Sequence, residues 1–479
     1  MEHIRKRLNL HQNKEGKIMK NYDVVIVGGG ISGVMAGVQA ALENAKTLII
    51  ERFSSLGGML TNGGVNPMMT FHAGEKQVVQ GLPEELIKRL VKRGKSVGHV
   101  FDTTTYTYTV TPFDPEGMKQ ELEMMALEAG CDILYNTMLL KTFVSEKKLT
   151  KIQVLNKSGI TDIYSKVFID ATGDADLSYQ AGVKTQLGRV SDNKMQPLTM
   201  NMRMANVDID QLRNYIKTHL ERFPKYNNDP SIIDKACKLS FSGFEKEINQ
   251  AIVDKRLSFL RECVLLFETN NKNEINVNIS RVKDIDATKE EEITKAIIEG
   301  RKQVREIEAF LKQDIPGFKD SYLLSSGPTI GVRSSRQIIG VHVLNENELL
   351  KQDRFYDVIC HGGYPIDVHP PEGHDKFVDW SKVKRHLNYG EYYSVPYRSI
   401  INNDVENIIT VGRCISATFE AQGAIRVSPI SAAIGEAGGA AASLMVKYNL
   451  ERTTDVNYKE LQKVLIKYKA YLEVEENDI

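Results

Sequence analysis

The hydrophobic pattern of this chain changes period several times, and the changes outline its elements. Val24–Val27 is an unbroken apolar run, as expected for a strand buried on both faces of a parallel sheet. Val34–Leu42 follows, with small residues at Ala36, Gly37, Ala40 and Ala41, and predicts a helix lying close to that sheet. Thr47–Ile50 is a second short apolar run. Asp114-Pro115-Glu116 supplies an N-cap and a first-turn proline for a helix running to about Gly130. A strand is expected near Ile133–Tyr135, a hairpin-like stretch over roughly 138–168, and a further strand at Val167–Ile169. Ile293, Ile297, Val304, Ile307 and Leu311 form an apolar stripe at helical spacing, with Thr288 and Glu291 placed as a capping box. Ile408–Val411 is again strand-like, and a run rich in small residues starts a helix near Pro429–Ser431. This alternation places the chain in the α/β class.

The turns between these elements carry the chemistry. Gly28, Gly30 and Gly33 stand between the first strand and the first helix at the spacing of a dinucleotide fingerprint. Glu51 ends the second strand about 18 residues later, where a ribose-binding acid belongs. Gly28 permits the tight turn, Gly30 lets backbone approach a pyrophosphate, and Gly33 lets the helix pack on the strand. The helix N-terminus then offers free N–H groups and the positive end of its dipole to the phosphates, through residues such as Ser32. Glu51 would accept from a ribose diol and repel the extra phosphate of NADP. Arg52 follows at the adenosine end, and Gly57-Gly58-Met59 makes a second backbone-exposed loop. An NAD site does not usually need that loop. An FAD site does, because the chain must wrap both pyrophosphate and flavin ring. Thr172-Gly173-Asp174 is a further turn that brings backbone close to a ligand.

Composition narrows the class. The 479 residues suffice for two or three domains. Lys+Arg and Asp+Glu are 62 each, so no global field recruits nucleic acid or an anionic membrane. No apolar run approaches the ~18 residues of a spanning helix. The five cysteines are scattered, and none falls before Cys131, which argues against a disulfide scaffold, a thiolate metal cage and a thiol-relay mechanism. Residues 1–20 are basic and polar without a signal-peptide core; a flexible arm is expected, with Met19 as an alternative start. The cytoplasm is the expected compartment.

The combination of "GGGISG", "ERFSSLGGM", "IDATGDADL" and "NIITVGRCISATFEAQGAIRVSPISAAIGEAGGAAA" resembles the FAD-dependent oxidoreductases of glutathione reductase-like fold, and more closely their fumarate reductase/succinate dehydrogenase flavoprotein-like branch. The resemblance implies an FAD-binding Rossmann-like domain with an inserted α+β substrate or cap domain. It divides the chain into the arm 1–20, a first FAD-binding part 21–184 with a substrate-side excursion near 70–113, an insertion 185–394, a return segment 395–450 and a helical tail 451–479. It implies that Gly412 and Arg413 pass the flavin ribityl and pyrophosphate, and that Leu139 gives a backbone contact to adenine. It also implies that the C-terminal small-residue helix, with Gly435, points its N-terminus at the flavin pyrimidine edge. A positive dipole end there stabilises the anion that forms on flavin reduction.

For catalysis the pool is Arg333, Arg336, His361, Tyr364, His369, Tyr393, Arg398 and Arg426, with Arg426, Arg333, His369 and Tyr364 chosen from it. In fumarate reductase-like enzymes an arginine just before the C-terminal flavin helix holds a substrate carboxylate. Arg426 stands at the equivalent place, although the glycine-asparagine-serine continuation of that branch is missing. The neighbourhood of His72 differs from that of the covalent flavin histidine of some relatives, so FAD is expected to be non-covalent. No metal site is indicated: "HGGYPIDVHPPEGH" suits a rigid turn over the flavin. A second nucleotide fingerprint is missing, since "GPTIGVRSSR" lacks the paired turn. The expected activity is hydride transfer between flavin N5 and a small polar metabolite, with the electron partner unknown. No nucleic-acid partner and no membrane span are expected, and a homo-oligomer is possible. A monooxygenase and a non-catalytic, RNA-associated flavoprotein are the alternatives.

Overall fold

The computed structural model of the protein describes residues 11–12, 18–373 and 387–474. Most of the arm expected over 1–20 lies outside the described residues; its last three positions open the first strand.

The first unit is built as its apolar runs dictate. Strand β1 (Ile18–Val27) leads through the glycine turn into α1 (Ile31–Leu42), then β2 (Thr47–Ile50). After an excursion of short strands and one helix over 58–111 come α2 (Pro115–Ala129) and β3 (Asp132–Leu134). The Asp114 carboxylate accepts from Glu116 N at the start of α2, and Gly130 closes the helix in the left-handed region at φ 97°. A meander follows: β4 (Met138–Ser145), β5 (Lys148–Asn156) and β6 (Gly159–Asp170). The sheet order is β4-β5-β6-β1-β2-β3. β6 is long enough to serve two partners along one edge. Gly159–Tyr164 pairs antiparallel with β5, and Phe168–Asp170 pairs parallel with the returning strand Ile408–Thr410.

The second unit is an antiparallel sheet of five strands. They are β7 (Met202–Ala205), β8 (Ser240–Gly243), β9 (Val264–Glu268), β10 (Glu274–Val277) and β11 (Tyr322–Ser326), in the order β8-β9-β10-β7-β11. Helix α3 (Glu290–Asp314) packs here, with Val304, Ile307 and Leu311 buried and Ile293 and Ile297 at the margin. The capping box does not form. Lys289 is the N-cap, Thr288 Oγ1 donates to Asp286 instead, and it is Glu292 that reaches back to Asp286 N. The core of this unit spans Leu198 to Ile330. Leu344, Leu349, Val358, Tyr364 and Ile366, and then Tyr393, Val395 and Tyr397, pack in the core of the first unit, so part of the stretch expected to be an insertion lies in that core.

The return brings β12 (Ile408–Thr410), α4 (Phe419–Ile425) and α5 (Ser428–Lys447). Helix α5 has the length and apolarity of a membrane span, contrary to expectation, yet 94% of its most apolar stretch is buried inside the protein. Its alanines and glycines let it lie against α1. A Cβ on Gly435 or Gly439 would come within 3.0 Å of backbone at Ser32 or Ala36.

Glu436 sits on this buried helix, with Oε2 accepting from Leu82 N at 3.1 Å and Oε1 without a partner. Burial pushes its carboxyl up to about 8, against the hydrogen bond from Leu82. The folded state therefore binds this proton more tightly than the unfolded chain. Stability should fall as pH rises from the ordinary carboxyl range toward 8, by at most ~1.4 kcal/mol per unit. Glu436→Gln keeps an acceptor for Leu82 N and removes the titration. Melting temperature against pH should be flatter for the variant over that window; parallel curves would show that Glu436 does not titrate there.

Candidate functional site

The glycine turns, the strand ends and the second unit enclose one cavity of about 530 Å³. At one end it is bordered by Glu51, Arg52 and the backbone at Thr137–Leu139. Both oxygens of Glu51 already accept from main chain, Oε2 from Gly29 N at 2.7 Å and Oε1 from Phe53 N at 2.8 Å. Burial raises its carboxyl, opposed by those bonds and by Arg52. The pairing of β4 with β5 shifts register between Leu139 and Lys141, so Leu139 lies at an irregularity where strand backbone opens to the cavity.

The middle is made of close-approach turns. Gly28 has φ 106°, and a Cβ there would run into Ala171 backbone. Gly57 N donates to Gly29 O at 2.8 Å, laying the Gly57–Met59 loop against the fingerprint turn. Gly30 is the N-cap of α1, with no side-chain cap and no acid in the first turn. The first N–H groups of that helix lack intrahelical acceptors and border the cavity at Ile31 and Ser32. Arg413 faces them across Gly173. One nitrogen pairs with Asp174, another donates to Val332 O at 2.9 Å, and its buried Nε has no partner. A Cβ on Gly30 would meet no protein atom within 4 Å, because the space there belongs to the cavity. Free helix donors, an unsatisfied guanidinium N–H and glycine-only walls fit a pyrophosphate. Asp176 lies on the same wall, pushed up to about 6 by burial and by Asp174 and Asp170.

At the inner end, α5 begins at Ser428 without a side-chain cap, and Ser428 and Ser431 border the cavity. Around it stand Arg333, Tyr364, Asp367, His369 and Arg426. Asp367 is the centre. Its Oδ2 accepts from Tyr364 OH at 3.2 Å and from Arg426 Nη2 at 3.1 Å, and lies 3.4 Å from His369 Nε2. Tyr106 OH reaches Oδ1 at 3.4 Å. Burial opposes the charge of Asp367, but His369, Arg426 and Arg333 outweigh it and hold the carboxyl well below the ordinary range. Burial also lowers His369 to about 3 against the pull of Asp367, so its ring is neutral at neutral pH. Burial, then Asp367, keeps the Tyr364 hydroxyl protonated. The cluster can therefore orient neutral proton carriers around one fixed carboxylate.

Most of the residues singled out in the sequence border this cavity: Gly28, Gly30, Ser32, Glu51, Arg52, Gly57, Gly58, Met59, Leu139, Thr172, Gly173, Gly412 and Arg413, with Arg333, Tyr364, His369 and Arg426 at the inner end. Gly33 and Gly435 do not. A Cβ at Gly33 would strike Gly28 O, and one at Gly435 would strike Ser32 backbone, so both serve close packing. The rest of the catalytic pool is structural. Arg336 pairs with Asp176, Arg398 with Asp357, Tyr393 OH donates to Ala424 O, and His361 bonds Ser394. His72 borders a second, smaller cavity of about 320 Å³ and contacts Thr109 Oγ1 at 3.0 Å. Among the described residues no group of His, Cys, Asp or Glu has metal-holding geometry.

Asp367, Tyr106 and the buried pair Gln196 and Gln422 were missed, and Asp174 was read only as part of a turn and not as the partner of Arg413. Gln196 Oε1 accepts from His369 N, its Nε2 donates to Gln422 Oε1, and Gln422 Nε2 donates to Arg333 O. Asp367 stood inside the quoted histidine-rich stretch, two residues from His369, and that proximity was the available signal.

A family model described as FAD dependent oxidoreductase matches residues 23–465. The chain belongs to the FAD-dependent oxidoreductase family. FAD is therefore the cofactor, and the protein is an oxidoreductase of mixed α/β fold with a Rossmann-like cofactor unit. Among curated relatives, 208 residues are 24% identical to digeranylgeranylglycerophospholipid reductase of Thermoplasma volcanium, over 40% of this chain and 49% of that one. A further 176-residue match is 30% identical to thiamine thiazole synthase of Methanococcus vannielii, over 35% of this chain and 60% of that one. The chain thus spans about half the length of the first of these family relatives. A solved structure of a geranylgeranyl bacteriochlorophyll reductase-like protein from Thermoplasma acidophilum aligns over 95% of this chain and 85% of that one, with a TM-score of 0.48 and 15% identity.

Proposed function

We propose that the protein moves a hydride between non-covalently bound FAD and a small polar metabolite at the inner end of the cavity. FAD supplies the two-electron chemistry at its N5. The observation that carries the reading is the convergence on one cavity of an uncapped α1 N-terminus, an uncapped α5 N-terminus and the Asp367-centred cluster. The α1 N–H groups and Arg413 hold the pyrophosphate. The α5 N-terminus offers positive potential where reduced flavin gathers negative charge. Tyr364 and His369, both neutral and both held by Asp367, are placed to give or take the proton that accompanies the hydride. A metabolite screen under anaerobic conditions, following loss of the oxidised flavin absorbance, tests the reading. Bleaching by a polar metabolite without added NAD(P)H is the expected result. A flavin that is reduced only by NAD(P)H and turns over with O₂, placing one oxygen atom in a second substrate and the other in water, would mean a monooxygenase.

No cysteine takes part in this scheme. Cys131, Cys360 and Cys414 are buried, and none of the five borders the cavity. Burial pushes the Cys131 thiol up to about 12 and raises Cys360 and Cys414 as well. Replacing all five with serine is expected to leave flavin reduction by substrate intact at normal FAD content, whatever it does to stability. Loss of reduction in a folded, flavin-loaded variant would sink the thiol-free mechanism.

A further inference from the structure

We infer that the substrate carries a carboxylate and that Arg333, rather than Arg426, receives it. The inference rests on the proposed reading of the same cavity as the place where a metabolite meets the flavin. It starts from what already occupies each guanidinium. Arg426 Nη2 donates to both the main-chain oxygen and the carboxylate of Asp367, at 2.9 and 3.1 Å. Its buried Nε has no partner, but its charge is answered by an ion pair within the protein. Arg333 likewise uses one nitrogen: Nη1 donates to Pro197 O and to Thr199 Oγ1, both at 2.6 Å. Both partners are neutral. The Nε and Nη2 donors of Arg333 have no partner among the described residues, and the side chain borders the cavity beside Tyr364 and Asp367. Those two N–H groups form the edge of a guanidinium that matches the two oxygens of a carboxylate.

The charges agree with the geometry. Arg333 and Arg426 face a single carboxylate, Asp367, while His369 is neutral. Burial first, then Arg426, with Arg261 and Arg281 acting in the same direction, lower Arg333 to about 9 against the pull of Asp367. Arg281 is answered by Glu262. A positive charge is left over on the cavity wall at a half-buried side chain, and a partly desolvated charge without a counter-ion is costly. An anion delivered by the ligand removes that cost. The Pro197 and Thr199 contacts fix the guanidinium from behind, and Gln422 holds its backbone through Arg333 O, so the open edge is pre-oriented.

The rival anion is the reduced flavin itself, so the test reads cofactor and anion separately. FAD-loaded protein is titrated with sodium acetate at constant ionic strength, with acetamide as the neutral isostere. The visible flavin spectrum and the melting temperature are followed. Acetate should perturb both saturably and acetamide neither. Arg333→Gln should keep its FAD and weaken the acetate response at least about tenfold. Arg333→Lys, with charge but no two-pronged edge, should fall between. An unchanged acetate response in Arg333→Gln overturns the assignment, as does an equal response to acetamide. Loss of FAD from a folded Arg333→Gln would give this side chain to the cofactor and overturn it equally. The titration needs no turnover. Acetate binding that depends on Arg333, in a protein whose flavin no metabolite reduces, would therefore uphold the receptor while the hydride-transfer reading failed.

Discussion

Replacing Gly30 with leucine is expected to give a folded protein that has lost its flavin. The residue is the N-cap of α1, with φ −63° and ψ 174°, a conformation open to any amino acid. A Cβ there touches no protein atom within 4 Å. The substitution therefore creates neither backbone strain nor a clash in the protein alone. The leucine side chain enters the space in front of the free α1 N–H groups, where the pyrophosphate belongs. Gly28 and Gly33 are different. A Cβ at either collides with backbone of the protein itself, and Gly28 also has a φ of 106°. Their substitution damages fold and binding together and cannot separate the two. For Gly30→Leu, flavin absorbance per protein after desalting should drop more than about tenfold. The stability that bound ligand contributes should go with it, about 4 kcal/mol for a ligand present at a thousand times its Kd. The variant should melt where the flavin-stripped natural protein melts, and added FAD should no longer raise that temperature. Full flavin content in Gly30→Leu would place the pyrophosphate elsewhere.

The cofactor half of this site was legible in the sequence because its signals are local. A strand, a glycine turn and a helix start fall within Val24–Leu42, and each rests on the chemistry of neighbouring residues. The Asp114 cap and the Gly130 stop are local too, and both formed. The Thr288 box failed because the same side chain found a nearer acceptor in Asp286, an alternative that spacing alone does not reveal. Gly435 was given a cofactor role from its place in a motif, whereas the approach of two helices decides what it does. The catalytic half depends on contacts between distant segments. Asp367 meets Arg426 across 59 residues and Tyr106 across 261. Gln196 meets Gln422 across 226. Nothing in a one-dimensional pattern pairs such residues. The boundary expected at 394 falls inside a buried strand for a related reason. Strands Val358–Gly362 and Tyr393–Pro396 are buried along their length and carry no mark of which core they join.

Asp367→Asn should slow flavin reduction by about a hundredfold or more, a loss of roughly 2.7 kcal/mol of transition-state stabilisation, while FAD stays bound. The substitution preserves volume, and the side-chain partners of Asp367 are Tyr364, Arg426, His369 and Tyr106, none of them in the glycine turns or beside Glu51, so FAD retention is expected not to depend on it. The carboxylate has three neighbours at Oδ2 alone: Tyr364, Arg426 and His369. An amide offers one acceptor oxygen and two N–H donors, so it cannot serve them all, and it leaves Arg426 and Arg333 facing each other without a counter-charge. Loss of one partner from a buried ion pair costs ~3–5 kcal/mol of stability, so the melting temperature should fall as well. A lower melting point alone does not distinguish positioning from simple support. The distinguishing measurement is the double variant with Tyr364→Phe. If Asp367 acts by holding the Tyr364 hydroxyl, Tyr364→Phe has already removed what it holds, and adding Asp367→Asn should slow reduction by far less than the product of the two separate losses. Independent, multiplying losses would mean that Asp367 works through another group, with His369 next in line at 3.4 Å. An Asp367→Asn protein that is folded, flavin-loaded and reduced at the natural rate would remove the whole cluster from the chemistry.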